Sequence, residues 1–360
     1  MPVEICKRDY RLTGEETKHA EERGLASAQW YACPIPRKRM KELMQRRNGP
    51  AIRHTLLWFS LLIVTGVIAY YTWGTWWCVP AIIAYGVLYS SASDSRWHEC
   101  GHGTAFKTPW MNDVVYQIAC FMDFRQPTPW RWSHTRHHTD TIIVGRDPEI
   151  QVPRPPNFLD IGLSFFNLKS APREFRKLIL HCFGKLDAQE RTYIPEGESL
   201  GGIFRTARIW ALIYAAVIGL AVWKHSIMPL VYIGLPTFYG VWLLNIFGLT
   251  QHAGLAEDVL DHRLNCRTVY MNPIFRFLYW NMGYHVEHHM FPMVPYHALA
   301  ALHAEMKADA PPAYHGLWEA YREIIPALWK QAKDPRYFVQ RQLPPGATPF
   351  LTSPTAAEPA

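Results

Sequence analysis

Several signatures of redox and hydrolytic chemistry are missing from this chain. The seven cysteines (Cys6, Cys33, Cys78, Cys100, Cys120, Cys182, Cys266) are odd in number, widely spread and free of any CxxC pair. That excludes a disulfide framework, a zinc ribbon and an iron–sulfur cluster, and leaves reduced thiols. There is no GxGxxG turn and no HPGG haem motif, so neither a dinucleotide module nor a fused cytochrome is expected. No short apolar stretch follows the basic start of MPVEICKRDY, so no cleaved signal peptide is expected.

Charge is also missing, but only locally. The 360 residues are 49% apolar and 14% aromatic, with 15 Trp and a formal charge of +7, while mean hydropathy is close to neutral at -0.12. Uncharged windows separated by charged ones read as a membrane protein with large aqueous loops. Four spans are expected, at 55–71, 76–92, 207–223 and 228–249, forming two hairpins linked near Gly74 and near Lys224 and His225. Two hairpins return the chain to its starting side. Arg37, Lys38, Arg39, Lys41, Arg46, Arg47 and Arg53 precede the first span, whereas the two far links hold only Lys224. The positive-inside rule therefore puts the N-terminal segment (1–52), the middle segment and the C-terminal segment in the cytoplasm. The excess positive charge is assigned to anionic headgroups, with no nucleic acid required. The domain is expected to run over 53–342, with the largely apolar stretch from Phe158 to Phe166 resting in the interface. The tail, 343–360, is rich in Pro, Ala and Thr and is expected to be disordered.

What the chain has in abundance is clustered histidine. HECGH holds His98 and His102, HTRHH holds His134, His137 and His138, and HVEHH holds His285, His288 and His289. Within each cluster the i, i+3 and i, i+4 spacings put rings on one face of a helix, and all three clusters fall on the same side of the expected spans. Eight imidazoles exceed what one ion accepts, so a two-metal site is expected, with iron as the ion. His252, in LTQHAG at the end of the fourth span, is the candidate ninth ligand, and His262, in VLDHR, a competitor for that place. Cys100 is either a soft ligand or a small packed residue. Glu99 and Glu287 sit beside ligand positions but point elsewhere on a helix, and are expected to orient ligands or face solvent.

In its three boxes the chain resembles the integral-membrane fatty acid desaturase and hydroxylase family. HECGHGTAF is similar to the first box of acyl-lipid desaturases, HTRHHTDT to the second, and HVEHHMFPMVPYHAL to the third, in the family's order and spacing from about Arg53 to Leu302. The context NMGYHVEHHMFPMVPYHAL also resembles a bacterial subgroup that includes the rhizopine-catabolism oxygenase and the dihydrorhizobitoxine desaturase. The resemblance implies an all-α integral-membrane fold with a cytoplasmic helical cap, in a bacterial inner membrane. It implies a di-iron centre held by His98, His102, His134, His137, His138, His285, His288 and His289, with His252 as the ninth ligand. Some acyl-CoA relatives carry an Asn four residues before that extra histidine, where this chain has Gly248.

Such a centre consumes O2 and electrons to remove hydrogen from an unactivated C–H bond. Desaturation of a fatty acyl lipid is the leading expectation; desaturation, hydroxylation or oxidative demethylation of a small non-lipid metabolite is the alternative. A separate ferredoxin, rubredoxin or cytochrome with its reductase is implied as donor, and Arg131, Arg136 and Arg146 around the second box are a candidate landing face for an acidic carrier. HECGH also satisfies the HExxH pattern of zinc peptidases, with Glu99 as general base, but that reading leaves the second and third clusters without a role. A non-enzymatic metal-binding or transport protein would place polar residues inside the spans, and those are few.

Overall fold

The computed structural model describes residues 8–352. Cys6 and residues 353–360 lie outside them. The regular elements among the described residues are all helices, joined by turns and loops, and the β pairing there is limited to two isolated bridges, Thr268 with Tyr284 and Val269 with Tyr314. Two helices are long and apolar enough to cross a membrane by length and composition: Asn48–Tyr71, which continues from the segment beginning at Arg37, and Leu200–Trp223. Each of these two helices has 24 residues, about 36 Å at 1.5 Å per residue, which exceeds a hydrocarbon core of about 30 Å. Each starts earlier than expected and carries outward a large apolar surface that includes Leu56, Ile63, Val64, Leu212, Ile218 and Val222. Exposed Trp73, Trp76, Trp77 and Trp223 collect at the far ends of these helices, as in an aromatic belt.

The other two expected spans take different forms. Cys78–Gly86, a π-helical turn Val87–Ser91 and Ala92–Gly101 follow one another without a break, so the helix runs past the expected end at 92 and delivers the first histidine box. From Tyr85 through Cys100 it is buried, Asp94 and Arg96 included. The 228–249 stretch is not one helix: it divides into Met228–Tyr232, Pro236–Tyr239 and Trp242–His252. The cause is local. Pro229 and Pro236 sit at helix starts, and Gly234 has φ +100°, a left-handed value that stops a helix and favours glycine.

Breaking the segment lets it wedge against the first hairpin. An added methyl at Gly240 would lie 2.0 Å from the carbonyl oxygen of Gly86, so the two backbones touch. Ser91 locks the junction, donating to the Gly240 carbonyl at 2.6 Å and accepting from the Leu244 N–H at 2.9 Å. Polar ends of aromatic residues do the same higher up: the Trp58 indole donates to Leu88, Tyr85 to Tyr232 and Tyr232 to Gly66. Such bonds satisfy donors where water is absent.

The remaining helices form the cap. Arg96, fully buried and without a carboxylate partner, donates to the carbonyls of Phe277 and Leu278 and lies over the rings of Trp58, Phe277 and Trp280, fixing the first-box helix to Pro273–Leu278. The amphipathic Ala171–Cys182 helix turns Phe175 and Ile179 outward, and Leu159, Phe166 and Leu168 of the preceding segment are exposed as well. Within the tail, Thr348, Pro349 and Leu351 contact the cap. Arg263, paired with Asp261, donates to the carbonyls of Thr348 and Pro349, and Leu351 is buried. A buried cation in need of acceptors accounts for these contacts.

The Gly86–Gly240 contact yields a test. Gly240→Ala should lower the thermal midpoint of the detergent-solubilised protein, by about 1–3 kcal/mol of overpacking, whereas Gly219→Ala, with nothing within 4 Å of the added methyl, should leave it unchanged or raise it. Equal midpoints for the two variants would contradict this packing.

Candidate metal centre

Four helices bring the histidines to one place. Ala92–Gly101 presents His98 and, at its C-cap, His102; Pro127–Thr139 presents His134, His137 and His138; His285–Met290 presents the third box; and Trp242–His252 ends on His252. All nine candidates converge, in two groups. His98, His102, His134, His138 and His288 form the first, and His137, His252, His285 and His289 the second. Helical spacing decides the division: His134 and His138, four apart, face one group, as do His285 and His289 the other, while His137 and His288 point across.

The ring contacts are unusual. In the first group Nε2 atoms approach in pairs, His98 to His288 at 2.7 Å, His102 to His134 at 3.1 Å, His134 to His138 at 3.2 Å and His138 to His288 at 3.2 Å. In the second, His252 and His285 approach at 3.0 Å. The other ring nitrogens show why these are not ordinary hydrogen bonds. His134 Nδ1 lies 3.1 Å from Glu149, His137 Nδ1 2.8 Å from Asp147, His252 Nδ1 2.7 Å from the Asn265 carbonyl and His289 Nδ1 3.2 Å from the Thr141 hydroxyl. Carboxylate and carbonyl partners only accept, so they put the proton on Nδ1 and leave Nε2 as a lone pair directed at the group's centre. The Nε2 of His289 is buried without any partner. Two nitrogens that each sit about 2.1 Å from a shared ion are separated by roughly 3.0–3.4 Å. The observed spacing fits two metal ions, one per group.

Electrostatics agree. Burial, reinforced by neighbouring imidazoles, holds His98, His134, His138, His252, His285, His288 and His289 well below the usual histidine range, hence neutral. His137 is the exception. Burial pushes it down, but Asp147 more than compensates and raises it.

Several expectations are corrected here. Glu99 and Glu287 are fully buried and neither orients a box histidine. Glu99 accepts from the Thr104 hydroxyl at 2.7 Å and the Tyr296 N–H at 3.0 Å; Glu287 pairs with Thr268 and His303. Cys100 packs in the main apolar core, which agrees with the packed one of its two expected roles. His262 lies 4.0 Å from the Cys266 thiol, in a third, smaller group that shares His289. Arg136 and Arg146 both pair with Asp140, and Arg146 also with Glu21, so neither is free to receive a carrier. Gly248 leaves a space against which Gln151 packs.

The residues that do orient ligands, Asp147, Glu149, Thr141 and the Asn265 carbonyl, escape the sequence reading. Asp147 and Glu149 lie 10 and 15 positions beyond their histidines, in GRDPE, where the two acids flanking Pro148 were the available signal.

The geometry defines a helical protein with two buried, all-histidine groups suited to hold metal ions, next to bilayer-length helices. The chain belongs to the fatty acid desaturase family, whose model matches residues 74–321, a family of oxidoreductases. It is 24% identical over 312 residues to the fatty acid desaturase 2-like protein FADS2B of Homo sapiens, covering 77% of this chain and 63% of that protein's length. It is also 24% identical over 274 residues to the acyl-lipid omega-3 desaturase (cytochrome b5), endoplasmic reticulum, of Arabidopsis thaliana, covering 71% of this chain and 67% of the relative. With the Delta(12)-acyl-lipid-desaturase of Punica granatum the identity is 24% over 304 residues, with 72% and 74% covered.

Two outcomes follow. Asp147→Asn or Glu149→Gln should weaken metal retention about 10–100-fold during chelator titration, whereas Glu99→Gln should leave the metal content unchanged; the reverse ranking would contradict the assigned contacts. The metal-free protein should also lose stability as pH falls below about 6.5, because the unfolded chain then takes up protons that the depressed histidines refuse; His137 and carboxylates that burial pushes upward, among them Glu99, Glu149 and Asp94, oppose the trend but are outnumbered. A flat profile of thermal midpoint between pH 7.5 and 5 would contradict it.

Proposed function

We propose that this chain is an O2-dependent membrane oxidase that desaturates a fatty acyl lipid at an unactivated aliphatic C–H bond, with two iron ions held by His98, His102, His134, His137, His138, His252, His285, His288 and His289. One observation carries the reading: two adjacent all-histidine groups, formed from the three histidine clusters and His252, within the stretch that the family model matches. Imidazole suits iron among other ions. When bound, the iron pair supplies O2 activation and the oxidising power for C–H cleavage.

The rest is supplied by the chain. Asp147, Glu149 and the Asn265 carbonyl fix ring orientation and tautomer, so the nitrogens are presented without reorganisation. Trp97 lies edge-on to His134, and its indole is tied to Asp94 at 2.9 Å. Arg125 bridges from Asp94 to the face of Trp130. This wall excludes water beside the first group and limits side reactions.

The names of the plant relatives support an acyl-lipid substrate, and cytochrome b5 in one of them supports a separate electron carrier. The membrane reading is a multi-pass protein of four crossings with its cap in the cytoplasm of a bacterial cell. It is supported by the two bilayer-length helices and by the basic segment ahead of the first.

Replacing His98, His137 or His288 by Ala in separate variants should each reduce product formation to background while membrane insertion and expression persist. Lipid extracts of a host lacking its own desaturases, read by gas chromatography for new double bonds, provide the assay. Full activity in all three variants would sink the proposal.

A further inference from the structure

A groove on the cap, beside the third histidine box, is unaccounted for by the metal centre. It is an open groove of about 550 Å³, lined by Ile35, Met40, Met44 and Phe291 together with Arg37 and Lys41, and its lining is mainly apolar, as in many ligand sites. Phe291 lies two residues beyond His289, and the adjacent Met290 sulfur accepts from the Cys33 N–H at 3.1 Å. The segment carrying the third box therefore forms part of the groove's wall.

The charge pattern identifies the ligand. Arg37 and Lys41 stand one turn apart on the Arg37–Leu43 helix, where like charges repel. Neither forms an ion pair among the described residues. Arg39, on the same helix, takes both nearby acids, Glu42 and Glu305. Two exposed cations without counter-ions at the edge of a methionine-rich apolar groove fit an anionic head on an alkyl chain. Guanidinium and ammonium groups bind phosphate oxygens by charge-assisted hydrogen bonds, and unbranched methionines adapt to a flexible chain. The helix also leads directly into the Asn48–Tyr71 span, which places the groove at headgroup height.

We propose that this groove binds the headgroup of an anionic phospholipid, which is the enzyme's acyl substrate, with the phosphate between Arg37 and Lys41 and the adjoining carbons against Ile35, Met40, Met44 and Phe291. This rests on the acyl-lipid reading above and narrows it to phosphate-bearing anionic lipids.

The test uses the full-length, metal-loaded protein in nanodiscs of phosphatidylcholine doped with phosphatidylglycerol, with retained lipid counted by native mass spectrometry. The parent protein should keep phosphatidylglycerol in preference to phosphatidylcholine. The double variant R37Q/K41Q should lose that preference by about tenfold, with unchanged metal content and with KM for phosphatidylglycerol raised while kcat is retained. Met44→Trp, which fills the groove but keeps both charges, should also displace the lipid. Unchanged preference and KM in both variants would overturn the proposal. Preference lost in the variants, with no conversion of any acyl lipid by the parent protein, would overturn the acyl-lipid reading and support the groove as a lipid site.

Discussion

Nine imidazoles held with their lone pairs facing one another are the constraint on which the structure turns. Neutral nitrogens 2.7–3.2 Å apart repel unless a ring N–H or a cation lies between them, and a ring whose one proton is held on Nδ1 offers only a lone pair inward. The fold meets this with anchors on the outer side of the rings. Asp147, Glu149, the Asn265 carbonyl and Thr141 hold Nδ1 protons, so the inward nitrogens are committed as acceptors before any ion arrives. The anchoring is uneven. Three of the four rings in the second group have such a partner, while His138 and His288 in the first have buried Nδ1 atoms with none. Histidines of the first group have more freedom to adjust.

Everything outside the centre serves to carry four helix ends to one point at the edge of an apolar slab. The two 24-residue helices give the slab its thickness. The Cys78–Gly101 run packs against the Asn48–Tyr71 helix and ends on the first box, and the broken segment after Met228 ends on His252. A straight helix over 228–249 would have moved its last turn away from the contact at Gly86 and Gly240. The buried Arg96 then ties the first box to Pro273–Leu278, shortly before the third. Glu99, on the same helix, accepts from the Tyr296 N–H and so ties it to the segment after the third box.

Helical class, the location of the long helices and all nine convergent histidines were legible in the sequence, because each rests on local pattern: apolar runs, or ring spacing on one helix face. His252 was found from one histidine at the end of an apolar segment, and the structure places it in the second group. What stayed hidden depended on contacts between distant segments. Asp147 and Glu149 sit in a loop without periodicity, and the backbone carbonyl of Asn265 has no sequence signature. Glu99 and Glu287 read as ligand neighbours but turn toward Thr104, Tyr296, Thr268 and His303. The contacts of Arg263 and Asp261 with Thr348, Pro349 and Leu351 likewise have no signature in the local composition. The break in the fourth expected span was readable from Pro229, Gly234 and Pro236, but hydropathy averaged over it.

The central claim is that the two histidine groups hold a pair of irons. Metal analysis and Mössbauer spectroscopy on detergent-purified protein from iron-57-supplemented cells test it directly. Two irons per chain, magnetically coupled in the oxidised state, are the predicted result. A single zinc per chain that survives iron loading and supports peptide cleavage would contradict the account.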